Sequence, residues 1–529
     1  MNPELLFKHA FVIDGAGRPG FAADVAVTGG RIEAVGDLAG WNAARTVEAR
    51  GLALAPGFVD MHGHSDYFLL ILPSAEGKVK QGITTEVGGN CGYSAAPVQG
   101  SVAEDRKQSH KDLYNFDVDF ETFDQFLSRM EQARPAINYA PLVGFNTVRA
   151  SAGLYTALPP SPEKLAEMRA MVRAGMEAGA FGMSMGLIYP PGCFAGLDEI
   201  AACGREAAAL GGIVSSHMRS EGDRVVEAVN ESIAIARRAE ARFQISHLKT
   251  SGTRNWGKLQ RVFDAIEQAR DQGVAITADR YPYLASFTQL SAALPEWVFE
   301  GGKEAFFARL ADSAVRDKMR RELERTDEHG DRWDRIVISQ VFHEELSRHE
   351  GQPVADAAKE AGMDPLDFVC DLTIRAKDRV AATYHTMSAG NLQRIYQKDW
   401  VMVGSDAAVR SHQGFLSEGK PHPRAYGTMP RMLGWVVREK GWLTLEAAVK
   451  KMTFDPCAVL GIKDRGVIRE GMCADLVLFD PAAVRDTATY EKPQSYPEGI
   501  AMVVVNGKIS VERGELTGER AGRVLRRGA

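Results

Sequence analysis

Two histidines one residue apart stand at the end of a short apolar stretch, and they are the first side chains suited to chemistry. The apolar stretch covers residues 58–61, and His62 and His64 lie at its end. Alternate residues of an extended chain point to the same side, so both imidazoles can be directed at one metal ion. Gly63 between them lets backbone or substrate come close. The spacing alone is a weak indication, because surface and packed histidines share it, but the position favours a metal site.

Further side chains able to bind a metal stand in the same kind of position, at the ends of predicted buried strands. They are Cys91, His217, His247 and Asp406. Each has an ordinary alternative: a cysteine that fills space, a hydrogen-bonded core histidine, or an aspartate that caps a helix. Chance placement does not account for so many at strand ends. We therefore predict a metal site formed by His62, His64, Cys91, His217, His247 and Asp406.

Strands that all end at one edge are needed to bring these side chains together. The centre of the chain alternates short apolar strands with helical segments, which is typical of a parallel βα architecture. Eight strands are predicted, at residues 58–62, 84–91, 138–144, 181–185, 213–217, 243–247, 274–279 and 401–406. They predict an α/β fold, a (β/α)8 TIM-like barrel with its active site at the carboxyl ends of the strands. The interval before strand eight is too long for one crossover, so an insertion at about residues 285–345 is predicted to lie over the barrel mouth.

The two ends of the chain predict a second, smaller unit. Residues 1–55 and 461–529 contain short alternating strands with glycine-bearing turns. We predict that they meet as one small β-domain, a β-sandwich, with the barrel at residues 56–460 inserted between them. The basic tail from Arg513 onward is predicted to be loose.

Composition excludes several classes of function. The chain has 529 residues, a net charge of −6 and no lysine- or arginine-rich tract, which argues against nucleic-acid and membrane-surface partners. No apolar run is long enough to span a bilayer, and the N-terminus does not resemble a signal peptide. The 6 cysteines form no CxxC pairs. We therefore expect a cytoplasmic protein with a small-molecule substrate, as a monomer or small homo-oligomer.

A family resemblance is carried by motifs along nearly the whole chain. PGFVDMHGH at 56–64, the strand-end histidines, Asp406 and the segment at 464–476 resemble the amidohydrolase superfamily. Within it, the chain is similar to the D-aminoacylase, or N-acyl-D-amino-acid deacylase, branch through GGNCG at 88–92, SMGLIY at 184–189, SHLK at 246–249, YPY at 281–283 and HPR at 422–424. The resemblance implies an enzyme that hydrolyses the linear amide of N-acyl-D-amino acids, releasing a carboxylic acid and a free D-amino acid.

The resemblance also bears on the metal site. Many binuclear relatives carry a carbamylated lysine at the end of strand four, where this chain has FGMSM at 181–185, and the branch implies that Cys91 serves as the metal thiolate instead. Cys91, His217 and His247 form a sulfur and nitrogen set suited to one tightly bound zinc ion with a position left for water. The other three predicted ligands surround a second position that resembles the family's weaker site. The number of resident ions stays open.

Catalysis and substrate binding are assigned from the same motifs. Asp406 is predicted to take a proton from the attacking water and pass it to the leaving amine, with a role as metal ligand only as the alternative. Lys249, two residues after His247, points to the same side of its strand, and Arg424 can offer a bidentate fork to the substrate carboxylate. The branch resemblance gives carboxylate-binding roles to Tyr189, Lys249, Tyr281 and Arg424, although Tyr283 competes with Tyr281 by alternation.

The preferred substrate is less well defined. Tyr384 and Met387 match positions that form a hydrophobic pocket in D-aminoacylases, and residues 286–290 contain no lysine or arginine for an acidic side chain. We therefore expect neutral or hydrophobic D-amino acids; the D-preference is implied by the resemblance alone. Alternatives are an N-acyl-D-glutamate or D-aspartate deacylase, a cyclic-amide hydrolase of the hydantoinase or dihydropyrimidinase kind, and a non-catalytic barrel that serves as a binding module.

Overall fold

The computed structural model describes residues 2–327 and 330–528, without the side chain of Ser101. Positions 1, 328, 329 and 529 of the predicted domains and insertion lie outside the described residues. The strands, in chain order, are β1 (Leu5–Val12), β2 (Phe21–Thr28), β3 (Arg31–Gly36), β4 (Arg45–Glu48), β5 (Ala53–Pro56), β6 (Phe58–Asp60), β7 (Ile83–Gly88), β8 (Asn138–Pro141), β9 (Val143–Gly144), β10 (Gly182–Gly186), β11 (Ile213–His217), β12 (Arg242–Ile245), β13 (Ile276–Arg280), β14 (Ser286–Gln289), β15 (Ile336–Val341), β16 (Val380–Tyr384), β17 (Val401–Val403), β18 (Leu476–Phe479), β19 (Ile500–Val505), β20 (Lys508–Glu512) and β21 (Glu515–Leu516).

The α-helices follow the strands of the centre and fill the insertion. They are α1 (Phe68–Ile71), α2 (Glu76–Val79), α3 (Ser101–Tyr114), α4 (Phe123–Ala133), α5 (Phe145–Ser151), α6 (Pro162–Glu177), α7 (Leu197–Ala209), α8 (Val225–Ala239), α9 (Leu259–Asp271), α10 (Lys303–Ala311), α11 (Ser313–Glu324), α12 (Val354–Glu360), α13 (Pro365–Arg375), α14 (Ala389–Tyr396), α15 (Arg424–Arg431), α16 (Leu445–Met452) and α17 (Phe454–Leu460). None of the helices in the described chain combines the length and apolar character needed to cross a membrane.

A closed parallel barrel forms the centre, as predicted. Strands β6, β7 and β8 pair in parallel, and β9, which follows β8 directly, continues through β10, β11, β12 and β13 to β17. The ring closes where the Met61 amide donates to the Val403 carbonyl at 3.3 Å and Gly63 pairs with Ala407. The predicted (β/α)8 barrel is therefore confirmed, with a strand at each predicted position.

Helix α6 illustrates why the barrel helices form where they do. The Ser161 side chain accepts a hydrogen bond from the Lys164 amide. Pro162 occupies the first turn, where a backbone N–H would have no partner within the helix, so proline loses no hydrogen bond there. Met168, Val172 and other apolar residues at helical spacing are buried against the barrel core. Capping and one apolar face together specify a helix that packs on the strands.

The chain termini build one nine-stranded sheet. Its order is β21-β20-β19-β18-β5-β1-β2-β3, with β4 pairing with β1. The contact between the two ends is the antiparallel pair β18 and β5. The predicted small β-domain from both termini is thus present. The prediction of a loose tail is wrong: the Leu525 amide donates to the Tyr139 carbonyl at 2.8 Å, and Arg526 pairs with Asp124 and Glu131.

The insertion is a subdomain with its own sheet and core. Strands β14, β16 and β15 form an antiparallel sheet, and apolar residues from Leu290 to Ala382 form a core separate from that of the barrel. The insertion therefore extends to Tyr384, beyond the predicted end near residue 345. Helices α12 and α13 have the same amphipathic spacing as barrel helices, which is why the sequence did not separate them from the barrel.

Candidate metal centre and active site

The six predicted ligands converge at the carboxyl ends of the barrel strands. Their ligand atoms form two groups in which all atoms lie within 4.8 Å of one another: His62, His64, Cys91 and Asp406, and Cys91, His217 and His247. His217 ends β11, and the others lie in the segments that follow β6, β7, β12 and β17. One thiolate, four imidazoles and a carboxylate form a donor set that suits zinc. The residues present therefore fit a zinc centre.

Cys91 belongs to both groups and lies at their centre. Its Sγ is 3.3 Å from His62 Nε2, 3.5 Å from His247 Nε2 and 3.7 Å from His217 Nδ1. His62 is predicted from the sequence to lie with His64 and Asp406, apart from Cys91. In the structure, His62 Nε2 lies at least as close to the Cys91 sulfur as the nitrogens of His217 and His247 do. The geometry therefore describes one continuous centre organised around a shared sulfur.

Three of these positions have an unusual backbone conformation. Cys91 has φ 53°, His247 has φ 35° and Asp406 has φ 53°. Non-glycine residues seldom adopt this left-handed region, which costs on the order of 1 kcal/mol or more each. All three lie just after a strand, where the turn directs the side chain into the barrel mouth. Such conformations concentrate at functional sites, and here they coincide with predicted ligands.

Two carboxylates that were not predicted as site residues orient the histidines. Asp279 Oδ2 lies 3.3 Å from His62 Nδ1, and Glu221 Oε1 lies 2.8 Å from His247 Nδ1. With Nδ1 engaged, each ring presents Nε2 to the centre, the arrangement that metal-binding histidines commonly use. Asp279 ends the seventh predicted strand, so the strand-end criterion could have found it. Glu221 lies in a loop, and no sequence pattern marks it.

The electrostatics of the centre favour the ionised forms of its acidic groups. Burial raises the pKa of the Cys91 thiol, but His62 and His247 outweigh burial and hold that pKa well below its usual range. Burial likewise raises the pKa of Asp406, and Arg424, His247 and His64 lower it well below its usual range. The centre thus holds a thiolate and a carboxylate in a buried place, which is an environment that attracts a cation.

Asp406 joins the metal ligands to the predicted substrate-binding groups. One oxygen, Oδ1, lies 3.0 Å from His64 Nε2 and 3.6 Å from His62 Nε2. The other, Oδ2, lies 2.7 Å from Arg424 Nη1. The carboxylate therefore touches both the ligand cluster and a cation at the cavity wall, which is where a group that moves protons between water and substrate must lie.

A cavity of about 940 Å³ opens above this centre. Its wall includes His64, Cys91, His217, His247 and Asp406 from the barrel, and Asp327, Arg335 and Gln340 from the insertion. The insertion therefore lies beside the barrel mouth, as predicted. The size suits a small organic substrate.

The predicted substrate-binding residues differ in their access to this cavity. Tyr189, Lys249, Tyr384 and Arg424 line it, whereas Tyr281 and Met387 are not part of its wall in the described structure. Lys249 is buried, and its Nζ donates a hydrogen bond to Glu221 and lies 2.8 Å from His247 Nδ1.

The two residues of the predicted hydrophobic pocket are engaged in the protein itself. The Tyr384 hydroxyl donates to the Gln289 carbonyl at 2.7 Å, and Met387 Sδ accepts from the Arg280 guanidinium at 2.8 Å. Met387 packs in a buried cluster with Tyr281 and Tyr283. Their roles in a substrate pocket stay predictions.

Two buried donors, on Tyr281 and on the Asp406 partner Arg424, lack hydrogen-bond partners. They are the Tyr281 hydroxyl and Arg424 Nε, and the Arg424 guanidinium carbon lies 4.7 Å from the centre of the Tyr281 ring. By contrast, the neighbouring Tyr283 hydroxyl lies 3.4 Å from Asp486 Oδ2. Buried polar groups are nearly always hydrogen-bonded, so two orphaned donors in one place indicate a position for an acceptor from outside the chain.

Comparisons with known proteins identify the family of the chain. An amidohydrolase family model matches residues 45–511. The N-acyl-D-glutamate deacylase of Alcaligenes xylosoxydans xylosoxydans is 37% identical over 99% of this chain and 97% of its own, and the D-aminoacylase of the same organism is 35% identical over 99% and 98%. A solved N-acyl-D-glutamate deacylase from Bordetella bronchiseptica, in complex with zinc and a phosphonate mimic of the tetrahedral intermediate, is 33% identical with a TM-score of 0.84, covering 99% of this chain and 100% of that one. The chain belongs to the amidohydrolase family.

Proposed function

We propose that the protein is a zinc-dependent hydrolase that cleaves the amide bond of N-acyl-D-amino acids. The observation that carries the proposal is the pair of orphaned donors, the Tyr281 hydroxyl and Arg424 Nε, on two neighbouring side chains of which Arg424 pairs with Asp406. A free carboxylate bound by these donors would hold the neighbouring amide over the metal ligands. The full-length relatives that carry the names N-acyl-D-glutamate deacylase and D-aminoacylase support the same reaction.

Cys91, His217 and His247, with His62, His64 and Asp406, would hold the metal. A bound zinc ion supplies acidity to a water molecule and polarises a carbonyl oxygen. Cys91 belongs to both groups of ligands, so its sulfur would serve an ion held by either group. One tightly held ion, with a second held weakly, stays the prediction.

Asp406 is the group that moves the proton. Because the surrounding cations keep its pKa well below the usual range, Asp406 is a carboxylate at neutral pH and can accept a proton from the attacking water. The protonated carboxyl can then donate that proton to the departing nitrogen. An amine leaves poorly unless it is protonated, so the return of the proton completes the cleavage.

The substrate carboxylate is proposed to bind to a carboxylate clamp formed by Lys249, Tyr281 and Arg424. Arg424 and Tyr281 supply the two orphaned donors, and Lys249, whose Nζ lies 5.8 Å from the centre of the Tyr281 ring, supplies positive charge. Hydrogen bonds from charged donors to a carboxylate in a partly dry site are strong and directional. The clamp would fix the substrate's orientation and require a free α-carboxylate. The D-preference stays a prediction from the family resemblance.

The alternatives fit the site less well. Relatives named for D-glutamate, D-aspartate and broader D-amino acids are 37%, 36% and 35% identical, so identity does not choose among side chains, and the neutral preference stays a prediction. A cyclic-amide hydrolase with a bridging lysine is disfavoured, because β10 carries Ser184 near Cys91 and no lysine. A non-catalytic barrel would not need six converging ligands.

The experiment compares Tyr281→Phe with the matched variant Tyr283→Phe in zinc-loaded enzyme. The wild type is expected to hydrolyse N-acetyl-D-methionine and not N-acetyl-L-methionine. Loss of the Tyr281 hydroxyl should raise the KM for the D-isomer about tenfold, the effect of one hydrogen bond to a charged group. Tyr283→Phe should leave KM within about twofold, since its hydroxyl is satisfied inside the protein. Zinc-loaded wild type that opens dihydrouracil but cleaves no N-acyl-D-amino acid would overturn the proposal.

A further inference from the structure

Most of the lysines and arginines on the cavity wall pair with acids. Five cations on it pair with acids, through Arg219–Glu231, Lys249–Glu221, Arg254–Asp223, Arg335–Asp331 and Arg424–Asp406. Two further arginines, Arg332 and Arg410, line the cavity without a carboxylate within ion-pair distance among the described residues. Arg332 donates to the Leu323 carbonyl and the Thr326 hydroxyl, which ties down its own segment. Arg410 makes one side-chain hydrogen bond, to Gln340.

Arg410 is held in place by its backbone and by one side chain. It lies in the loop after β17, and its carbonyl accepts a hydrogen bond from the Gly77 amide at 3.0 Å. Its Nη2 lies 3.2 Å from Gln340 Oε1, a residue of β15 in the insertion. The guanidinium therefore bridges the barrel and the insertion, and its Nε and Nη1 make no hydrogen bond to another described residue.

The surroundings of Arg410 are poor in counter-charge. Phe68, Tyr114 and Phe342 line the cavity with it. Burial lowers the pKa of the guanidinium, and the phenols of Tyr426 and Tyr114 only partly oppose that effect. An arginine stays charged in proteins, so a partly buried guanidinium without a carboxylate leaves a desolvation cost that an anion would offset.

We propose that Arg410 binds a second carboxylate of the substrate, separate from the α-carboxylate held by Lys249, Tyr281 and Arg424. The inference rests on the proposed function and names its substrate class: N-acyl-D-amino acids that carry two carboxylates. The second carboxylate can belong to a dicarboxylic acyl group, which keeps the neutral side chain expected from the sequence, or to the amino-acid side chain, which replaces that expectation. Residues 286–290 contain no lysine or arginine. Recognition of a second substrate carboxylate would therefore depend on the loop at 407–420, which contains Arg410.

The test measures substrate preference in wild type, Arg410→Met, Arg410→Lys and a control, Arg375→Met. Arg375 is an exposed arginine of the insertion whose partner is Glu345, and it does not line the cavity. The substrates are N-acetyl-D-glutamate, N-succinyl-D-methionine and N-acetyl-D-methionine. The expected readout is the ratio of kcat/KM for each diacid to that for N-acetyl-D-methionine.

In Arg410→Met, the ratio for one diacid should fall roughly 10- to 100-fold, the loss expected for one charged hydrogen bond. Arg410→Lys should recover part of it, and Arg375→Met should match wild type. A fall for N-acetyl-D-glutamate places the second carboxylate on the side chain, and a fall for N-succinyl-D-methionine places it on the acyl group. Ratios within threefold of wild type for both diacids in Arg410→Met would overturn the proposal.

Failure of the proposed function gives a different pattern. If zinc-loaded wild type cleaves none of the three compounds, their binding by calorimetry still decides the role of Arg410. Weaker binding of a diacid, but not of N-acetyl-D-methionine, to Arg410→Met supports the second-carboxylate site without the reaction. Equal loss or no loss for all three overturns it.

Discussion

Replacing Glu221 by glutamine tests whether the carboxylates behind the histidines set up the metal site. Glu221 Oε1 accepts from His247 Nδ1 at 2.8 Å and also from Lys249, whose Nζ lies 2.8 Å from the same ring nitrogen. With the carboxylate present, Nδ1 carries the proton and Nε2 is free to bind a metal. Without it, the Lys249 ammonium becomes the donor to Nδ1, and the proton moves to Nε2, which faces Cys91.

The size of the expected loss in zinc affinity follows from that change of tautomer and from the lost negative charge. Removing the hydrogen-bond partner behind a metal-binding histidine costs about 10- to 100-fold in metal affinity, or about 1.4 to 2.8 kcal/mol. Burial raises the pKa of Glu221, but Lys249, His217 and His247 hold it well below its usual range, so the full negative charge is lost in Glu221→Gln. We expect a loss toward the upper end of this interval.

The assay is the zinc dissociation constant at pH 7, measured by competition with a chelator of known affinity. Glu206→Gln is the matched control, because Glu206 is also a buried acid with cationic partners, Arg169 and Arg173, but lies away from the ligand cluster. That variant should bind zinc as tightly as wild type. A zinc affinity of Glu221→Gln within threefold of wild type would refute the argument about the tautomer.

Three further predictions concern the thiolate, a buried ion network and a buried acid. Cys91→Ser should lower zinc affinity by at least about 100-fold and abolish amide hydrolysis, because both ligand groups share this sulfur; metal analysis after dialysis measures it. Lys78→Met should lower the free energy of unfolding by about 3 to 5 kcal/mol in urea, since it leaves the buried carboxylates of Asp60 and Glu86 without their cation. Burial raises the pKa of Asp378 to about 6, so the folded state favours the neutral acid. The contribution of Asp378 to the free energy of unfolding is complete below about pH 4 and should fall by on the order of 2 kcal/mol as pH rises through 6. Asp378→Asn should remove this dependence, and urea unfolding at each pH measures it.

Controls for these three predictions come from the same chain. Cys203 is a buried cysteine outside the site, so Cys203→Ser should keep full zinc content. Lys359 is exposed, and Lys359→Met should change stability by less than about 0.5 kcal/mol. Zinc bound equally by Cys91→Ser, an unchanged unfolding curve for Lys78→Met, or the same slope with pH in Asp378→Asn would each contradict the corresponding account.

The barrel and the convergence of the candidate ligands could be predicted from the sequence because both leave local patterns. Each strand is a short apolar run, and each of the ligands His62, Cys91, His217 and His247 stands at or just beyond the end of one. Asp279 satisfies the same criterion, but its role as the partner of His62 depends on a contact between distant segments that the sequence does not show. Candidate functional residues at strand ends can therefore be predicted from a single sequence when the apolar strands are clearly marked.

Other parts of the site depend on contacts between distant segments. Glu221 and Arg410 lie in loops, and their importance follows from neighbours such as Lys249 and Gln340 that no spacing relates to them. The tail is held by pairing of residues near 525 with Tyr139, which a basic composition does not reveal. The insertion ends at β16 because a strand there completes its sheet, and strand pairing across the intervening residues is a tertiary property.

A zinc titration of chelator-stripped protein shows whether amide hydrolysis depends on a metal ion at the centre around Cys91. Hydrolysis of N-acetyl-D-methionine is followed while zinc is added to protein whose metal has been removed and whose fold is checked by circular dichroism. The account predicts no turnover before zinc is added and a rise that reaches most of its height with the first equivalent. Full turnover by folded, zinc-free protein would contradict the assignment of the reaction to the centre around Cys91.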